Sequence, residues 1–228
     1  MSREPIDSLY YYHIYNRGVD KRQVFLDKWD YVRFIESTRG FNRVKPIGSL
    51  YRLKKDKQRN PISPEGEIGF LQELQEAPLV DIICYCLNPN HYHLLLRQRM
   101  DDGISKFMHK VNLGYTYYFN QKYKRSGALF QGKYKYKSVK STFDLLKVSV
   151  YVNCNAQIHG IAKSENWPWS SYLDYAGIRK GTLCNKNEVL DEFISTELSA
   201  RPQRYKNYCR EWIGDIRKIK YLQKFDVE

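Results

Sequence analysis

Two strand-like runs meet at a short turn, and no other part of the chain restricts its fold as much. Residues 80–87 are apolar apart from Asp81, Asn88-Pro89-Asn90 turns the chain, and His91-Tyr92-His93-Leu94-Leu95-Leu96 runs on. Pro presets φ and Asn bonds its own backbone, so both favour turns. The segment therefore reads as an antiparallel hairpin over residues 80–98. Side chains alternate faces along a strand, so His91 and His93 share one face and Tyr92, Leu94 and Leu96 the other. Two imidazoles side by side on a sheet are a candidate pair of metal ligands; the alternative is two ordinary surface or core histidines.

The other elements follow from periodicity. Residues 9–15 alternate bulky side chains and read as a first strand, ended by Asn16-Arg17-Gly18. Residues 29–38 have helical spacing, with Trp29, Val32, Phe34 and Ile35 on one face. Residues 43–78 form a polar, charge-rich insertion. A helix is expected over 104–123, a strand over 134–140, and a helix over 142–158 capped by Ser141 and stopped at Gly160. In the strand, Lys133, Lys135 and Lys137 lie on one side and Tyr134, Tyr136 and Ser138 on the other. The order predicts an α+β, ferredoxin-like sandwich: an antiparallel sheet with helices on one face. Residues 181–228 read as a basic helical appendage to a domain over 1–180, with amphipathic helices over 188–194 and 203–223.

Charge narrows the function. Thirty-eight Lys and Arg against 25 Asp and Glu leave +13, which favours a polyanionic partner. Residues 103–143 carry nine Lys or Arg, no acid, and ten interleaved aromatic rings. Cations there can meet phosphates and rings can stack on bases, although about half the rings should serve the core. No stretch reaches the ~20 apolar residues of a membrane span, and residues 1–7 have no apolar leader core. Five scattered cysteines then read as reduced thiols in the cytoplasm, near the nucleoid if the partner is DNA.

Within the helix expected over 142–158, Lys147, Tyr151 and Asn155 are spaced four apart. An ammonium, a phenol and an amide would line one stripe. Burial is the usual role of such a tyrosine.

Several blocks together resemble the Y1 transposases of the IS200/IS605 type, and more closely the REP-associated tyrosine transposases. They are Tyr12-His13-Ile14-Tyr15-Asn16-Arg17-Gly18, the run from Cys86 to Leu95, Arg125 to Lys135, and Trp167-Pro168-Trp169-Ser170-Ser171-Tyr172, in family order over about residues 10–178. The resemblance implies that His91, His93 and a polar residue hold a divalent cation, and that a tyrosine one turn before that residue is the nucleophile. Here the matching positions are Tyr151 and Asn155. Many relatives have Asn-Pro where this chain has Asn155-Ala156, and Gln157 is a substitute oxygen donor to consider. Two neutral imidazoles and an amide leave the cation's charge uncompensated, which suits Mg²⁺ or Mn²⁺ polarising a phosphodiester. Lys147 is the candidate to help Tyr151 ionise.

The implied activity is nicking and strand transfer of single-stranded DNA, at a hairpin, through a 5′-phosphotyrosine. Candidate DNA contacts are Asn16, Arg17, Tyr115, Lys122, Lys124, Arg125, Lys133, Lys135 and Lys137; Trp167 and Trp169 read as packing anchors. Relatives include dimers and proteins thought to act as monomers, so a homodimer stays open. A domesticated nickase is a close alternative. Two others are a non-catalytic nucleic-acid-binding protein and a structural zinc protein using Cys84, Cys86, His91 and His93.

Overall fold

A computed structural model describes residues 5–45, 77–193, 198–215 and 218. Most of the insertion expected over 43–78, and the end of the helix expected over 203–223, lie outside the described residues. Four strands, β1 (Tyr11–Arg17), β2 (Val80–Asn88), β3 (His91–Gln98) and β4 (Lys135–Val139), form one antiparallel sheet in the order β2-β3-β1-β4. Between them run α1 (Lys28–Gly40) and α2 (Gly103–Lys122). This is the α+β sandwich expected from the sequence.

α1 starts at Asp27, whose carboxylate accepts from the Trp29 and Asp30 amides, while Asp30 returns the bond to the Asp27 amide. This reciprocal cap satisfies donors that the first helical turn leaves orphaned. The buried side of α1 carries Tyr31 and Phe34, which pack with Phe107, Val111 and Tyr115 of α2. On the sheet they meet Tyr12, Ile14, Tyr92, Leu94 and Leu96. Alternation thus delivers the apolar set of the hairpin to this core. Trp29 does not join it: the ring is 60% exposed, with the Lys28 ammonium 5.0 Å from its centroid.

The second face of the sheet is also covered, which corrects the expectation of helices on one face. α3 (Thr142–Asn153) packs Leu145, Val148, Tyr151 and Val152 against Cys84, Cys86, Leu95 and Val139. Strand alternation leaves this face apolar enough that solvent exposure would be costly. Short helices α4 (Asn155–Ile158), α5 (Tyr172–Tyr175) and α6 (Asn187–Leu190) follow. The last helix, α7 (Arg201–Gly214), buries Tyr205 and Cys209 in the same second core.

Segment 167–172 lies along β2. The Leu87 amide donates to the Trp169 carbonyl at 2.9 Å, the Trp167 indole to the Leu87 carbonyl at 3.1 Å, and the Trp169 ring stacks on Tyr31 at 4.5 Å. Both tryptophans therefore pack as anchors.

Ser141 caps α3 by accepting from the Asp144 amide at 3.1 Å, and Gly160 takes φ +68°, both as expected. The helix expected over 142–158 is nevertheless broken at Cys154. The Ser170 hydroxyl donates to the Asn153 carbonyl at 2.7 Å, and the Gln157 amide bonds the Cys154 carbonyl instead. A partner distant in sequence thus takes the acceptor on which helix continuation depends.

Candidate active site

Strand register sets the site. β1 pairs Tyr15 with His93 and Arg17 with His91, while β2 pairs Cys86 with His93 and Asn88 with His91. On the other side, β1 pairs Tyr15 with Lys135 and His13 with Lys137. Cross-strand partners share a face. His13, Tyr15, Arg17, Asn88, His91, His93, Lys135 and Lys137 therefore all sit on the face covered by α3. The histidines share one side, as expected, but that side is not open: His93 is buried and His91 only partly exposed.

The two imidazoles stand at 89° with centroids 5.0 Å apart. Hydrogen bonds fix the His91 tautomer. The Asn90 amide nitrogen donates to the Lys21 carbonyl at 3.2 Å, so its Oδ1 faces His91 Nδ1 at 2.6 Å and that nitrogen carries the proton. His91 Nε2 then presents a lone pair, 3.4 Å from Asn155 Oδ1. His93 Nδ1 bonds His13 Nε2 at 2.8 Å, and His93 Nε2 is buried with no hydrogen-bond partner among the described residues. Burial holds the His93 pKa well below the usual imidazole range, and His91, His13 and His159 add repulsion in the same direction. His93 is therefore neutral at pH 7.

Tyr151 is buried, with its ring edge-on to His93 at 5.4 Å and to His13 at 5.5 Å. Although the helix breaks between them, Tyr151 and Asn155 both point at the sheet: Tyr151 over His13 and His93, Asn155 over His91 and Asn88. Gln157 is occupied elsewhere, its Oε1 accepting from the Ser164 amide and hydroxyl. Lys147 is buried with its ammonium 2.9 Å from the Phe143 ring centroid and 5.2 Å from that of Trp212. Its charge is engaged with aromatic faces toward α7 rather than presented along a stripe with Tyr151.

A cavity of about 290 Å³ opens beside the histidines. Arg17, Lys21, His91, His93, Lys135 and His159 line it, and none of its described lining residues is acidic. Such walls attract a phosphate. Asn16 also borders it, but its amide is tied to the Gly132 carbonyl at 3.2 Å and accepts from the Arg17 amide at 2.9 Å.

Two DNA-contact candidates are engaged within the fold. Tyr115 is a core ring whose hydroxyl donates to the Val24 carbonyl at 2.6 Å. Lys122 reaches Asp27 and Asp30, each at 2.7 Å, and lies over the Tyr118 and Tyr123 rings. Burial pulls its pKa down, but those carboxylate bonds outweigh this and raise it. Its charge is already matched within the fold. Lys124, Lys133 and Lys135 are exposed, Lys137 is half-buried, and Arg125 lies against Asn120 and Phe119. Five of the ten rings in 103–143 are buried: Phe107, Tyr115, Phe119, Phe130 and Tyr134.

No group of three or more His, Cys, Asp or Glu side chains is placed to hold a metal among the described residues. Cys84 and Cys86 are core thiols, and burial pushes Cys86 up to about 12. A cation here needs an amide as third donor, and the lone pair of His91 Nε2, the unpartnered His93 Nε2 and Asn155 Oδ1 fit that requirement.

The family described as "Transposase IS200 like" matches residues 66–155. Over that segment the chain is similar to IS200-like transposases. The segment contains both histidines, α2, β4, Tyr151 and Asn155, and the resemblance read from the sequence is borne out there. No curated protein matches significantly. Among solved structures, one described as a REP-associated tyrosine transposase bound to a REP hairpin aligns at 14% identity with a TM-score of 0.49, covering 78% of this chain and 84% of that one. No helix among the described residues is long and apolar enough to cross a membrane.

Sequence reasoning passed over four residues of this site: His13, Lys21, Asn88 and His159. His13 was legible by alternation, two residues from Tyr15 on the histidine face. Asn88 had been read only as a turn residue.

Proposed function

We propose that this protein is a cation-dependent nuclease and strand transferase of single-stranded DNA, acting at hairpins, with Tyr151 as the nucleophile. The observation that carries this reading is His91 Nε2 lying 3.4 Å from Asn155 Oδ1, with the His93 ring, its Nε2 unpartnered among the described residues, 5.0 Å from that of His91 and edge-on to Tyr151, beside an acid-free basic cavity. His91, His93 and Asn155 would hold Mg²⁺ or Mn²⁺. A bound cation would polarise the scissile phosphate.

The chain's own residues do the rest. Arg17, Lys21 and Lys135 neutralise phosphate charge in the cavity. Lys124, Arg125, Lys133 and Lys137 extend the basic surface for the strand on either side. His13 fixes the ring orientation of His93 through their 2.8 Å bond. The Tyr151 oxygen forms a bond to phosphorus while the bond from phosphorus to the 3′ oxygen breaks. The phenol loses its proton and the departing 3′ oxygen gains one. A 5′-phosphotyrosine and a 3′-hydroxyl result, and reversal with another 3′-hydroxyl rejoins strands without ATP.

Tyr151 does not line the cavity and is fully buried. Attack therefore requires the phenol to be uncovered, by a turn of its side chain or a displacement of α3. Incubation with a 3′-end-labelled DNA hairpin and Mn²⁺ tests the reading. A labelled protein band should appear on a denaturing gel with the wild type and vanish with Tyr151→Phe and His91→Ala. A band from 5′-end-labelled DNA alone would mean the opposite linkage and refute the mechanism.

A further inference from the structure

Asn88 holds a position that neither the resemblance nor the proposed mechanism uses. It ends β2 directly across from His91, and its side chain is fully buried. Its amide nitrogen lies 2.9 Å from His91 Nε2 and 2.5 Å from Asn155 Oδ1. A primary amide has two N–H donors. Here one meets each of the two lone pairs that the proposed site offers a cation. The Asn88 carbonyl oxygen points the other way, accepting from the Cys86 thiol at 3.5 Å.

A cation on His91 and Asn155 needs those two lone pairs, so the Asn88 N–H groups must leave them. Turning the amide over about its last torsion exchanges the nitrogen and oxygen positions with little change in shape. The oxygen would then face His91 Nε2 and Asn155 Oδ1, which are themselves 3.4 Å apart. Adjacent donors around six-coordinate Mg²⁺, with bonds of about 2.1 Å, lie roughly 3.0 Å apart. The three separations of 2.9, 2.5 and 3.4 Å bracket that spacing. The displaced N–H₂ would face Cys86, whose sulfur accepts as well as donates.

We infer that Asn88 is a fourth protein donor of the cation site, its amide turning over on metal binding so that an oxygen replaces the nitrogen between His91 and Asn155. This rests on the cation site proposed above. In the metal-free protein the same amide satisfies the lone pairs, so the site stays ordered.

The test measures Mn²⁺ binding to the full chain by the loss of the free-ion electron paramagnetic resonance signal. Wild type should bind and His91→Ala should not; if wild type fails to bind, or His91→Ala binds equally, the cation site itself is wrong and Asn88 falls with it. Given that control, Asn88→Leu separates the roles, because it removes both the N–H groups and the oxygen at similar size. A ligand role predicts affinity at least about 10-fold weaker. Unchanged or tighter binding would overturn the inference and leave Asn88 as a mere plug. Asn88→Asp, which offers oxygens and negative charge, should bind more tightly than wild type. Should these variants melt early, Mg²⁺ titration of the wild type is read from the Asn88 side-chain amide resonances. Large shifts of that N–H pair are expected, and unmoved resonances would overturn the proposal.

Discussion

Lys21 and Lys135 border the cavity, whereas Lys122 is tied to Asp27 and Asp30. By charge counting alone, each of the three should contribute equally to DNA binding. The structure separates them. Each phosphate neutralised on single-stranded DNA adds about 0.7 to the slope of log affinity against log salt. The double variant Lys21→Gln, Lys135→Gln should therefore flatten that slope by about 1.4. Between about 50 and 200 mM salt, the wild type should lose about 7-fold more affinity than the variant. Lys122→Gln should leave the slope unchanged and instead lower stability. Fluorescence anisotropy with a labelled hairpin across a salt series reads the slopes, and urea unfolding reads stability. A slope unaltered in the double variant, or flattened in Lys122→Gln, would refute the assignment of the cavity as the phosphate site.

Tyr151→Phe keeps the ring that packs on His13 and His93, so unfolding free energy should change by no more than about 1–2 kcal/mol and hairpin binding should persist while the covalent adduct disappears. Asp30 is buried and accepts from the Leu26 and Asp27 amides, Tyr118, Tyr123 and Lys122; Asp30→Ala should cost about 3 kcal/mol, seen as a lower urea midpoint at unchanged slope. His93 has a depressed folded pKa, so the unfolded chain binds its proton first: its contribution to stability is full above about pH 6.5 and is lost as pH falls toward the folded value. Replacing His93 with Gln should make urea midpoints less sensitive to pH between about 6.5 and 5.

Much of the fold was legible in the chain. The hairpin, its turn and the faces of His91 and His93 follow from a period of two, which backbone geometry imposes without reference to other segments. The Ser141 cap and Gly160 stop are local for the same reason. The pairing of Tyr151 with the histidines was legible only through the family resemblance, because α3 meets the sheet from far along the sequence. Tertiary structure decided the rest. Ser170 captures the Asn153 carbonyl and breaks the helix expected to be continuous. Asp30, buried beneath α2, pairs with Lys122 and balances its charge. Packing of α3 and α7 turned an expected open face into a second core and drew Lys147 against Phe143 and Trp212. Asn88, by sequence a turn residue, came to bridge His91 and Asn155 because cross-strand register set it opposite His91 and the helix break brought Asn155 over both. Sequence fixes what each residue offers chemically; partners distant in the chain decide which of those groups remain available to a ligand.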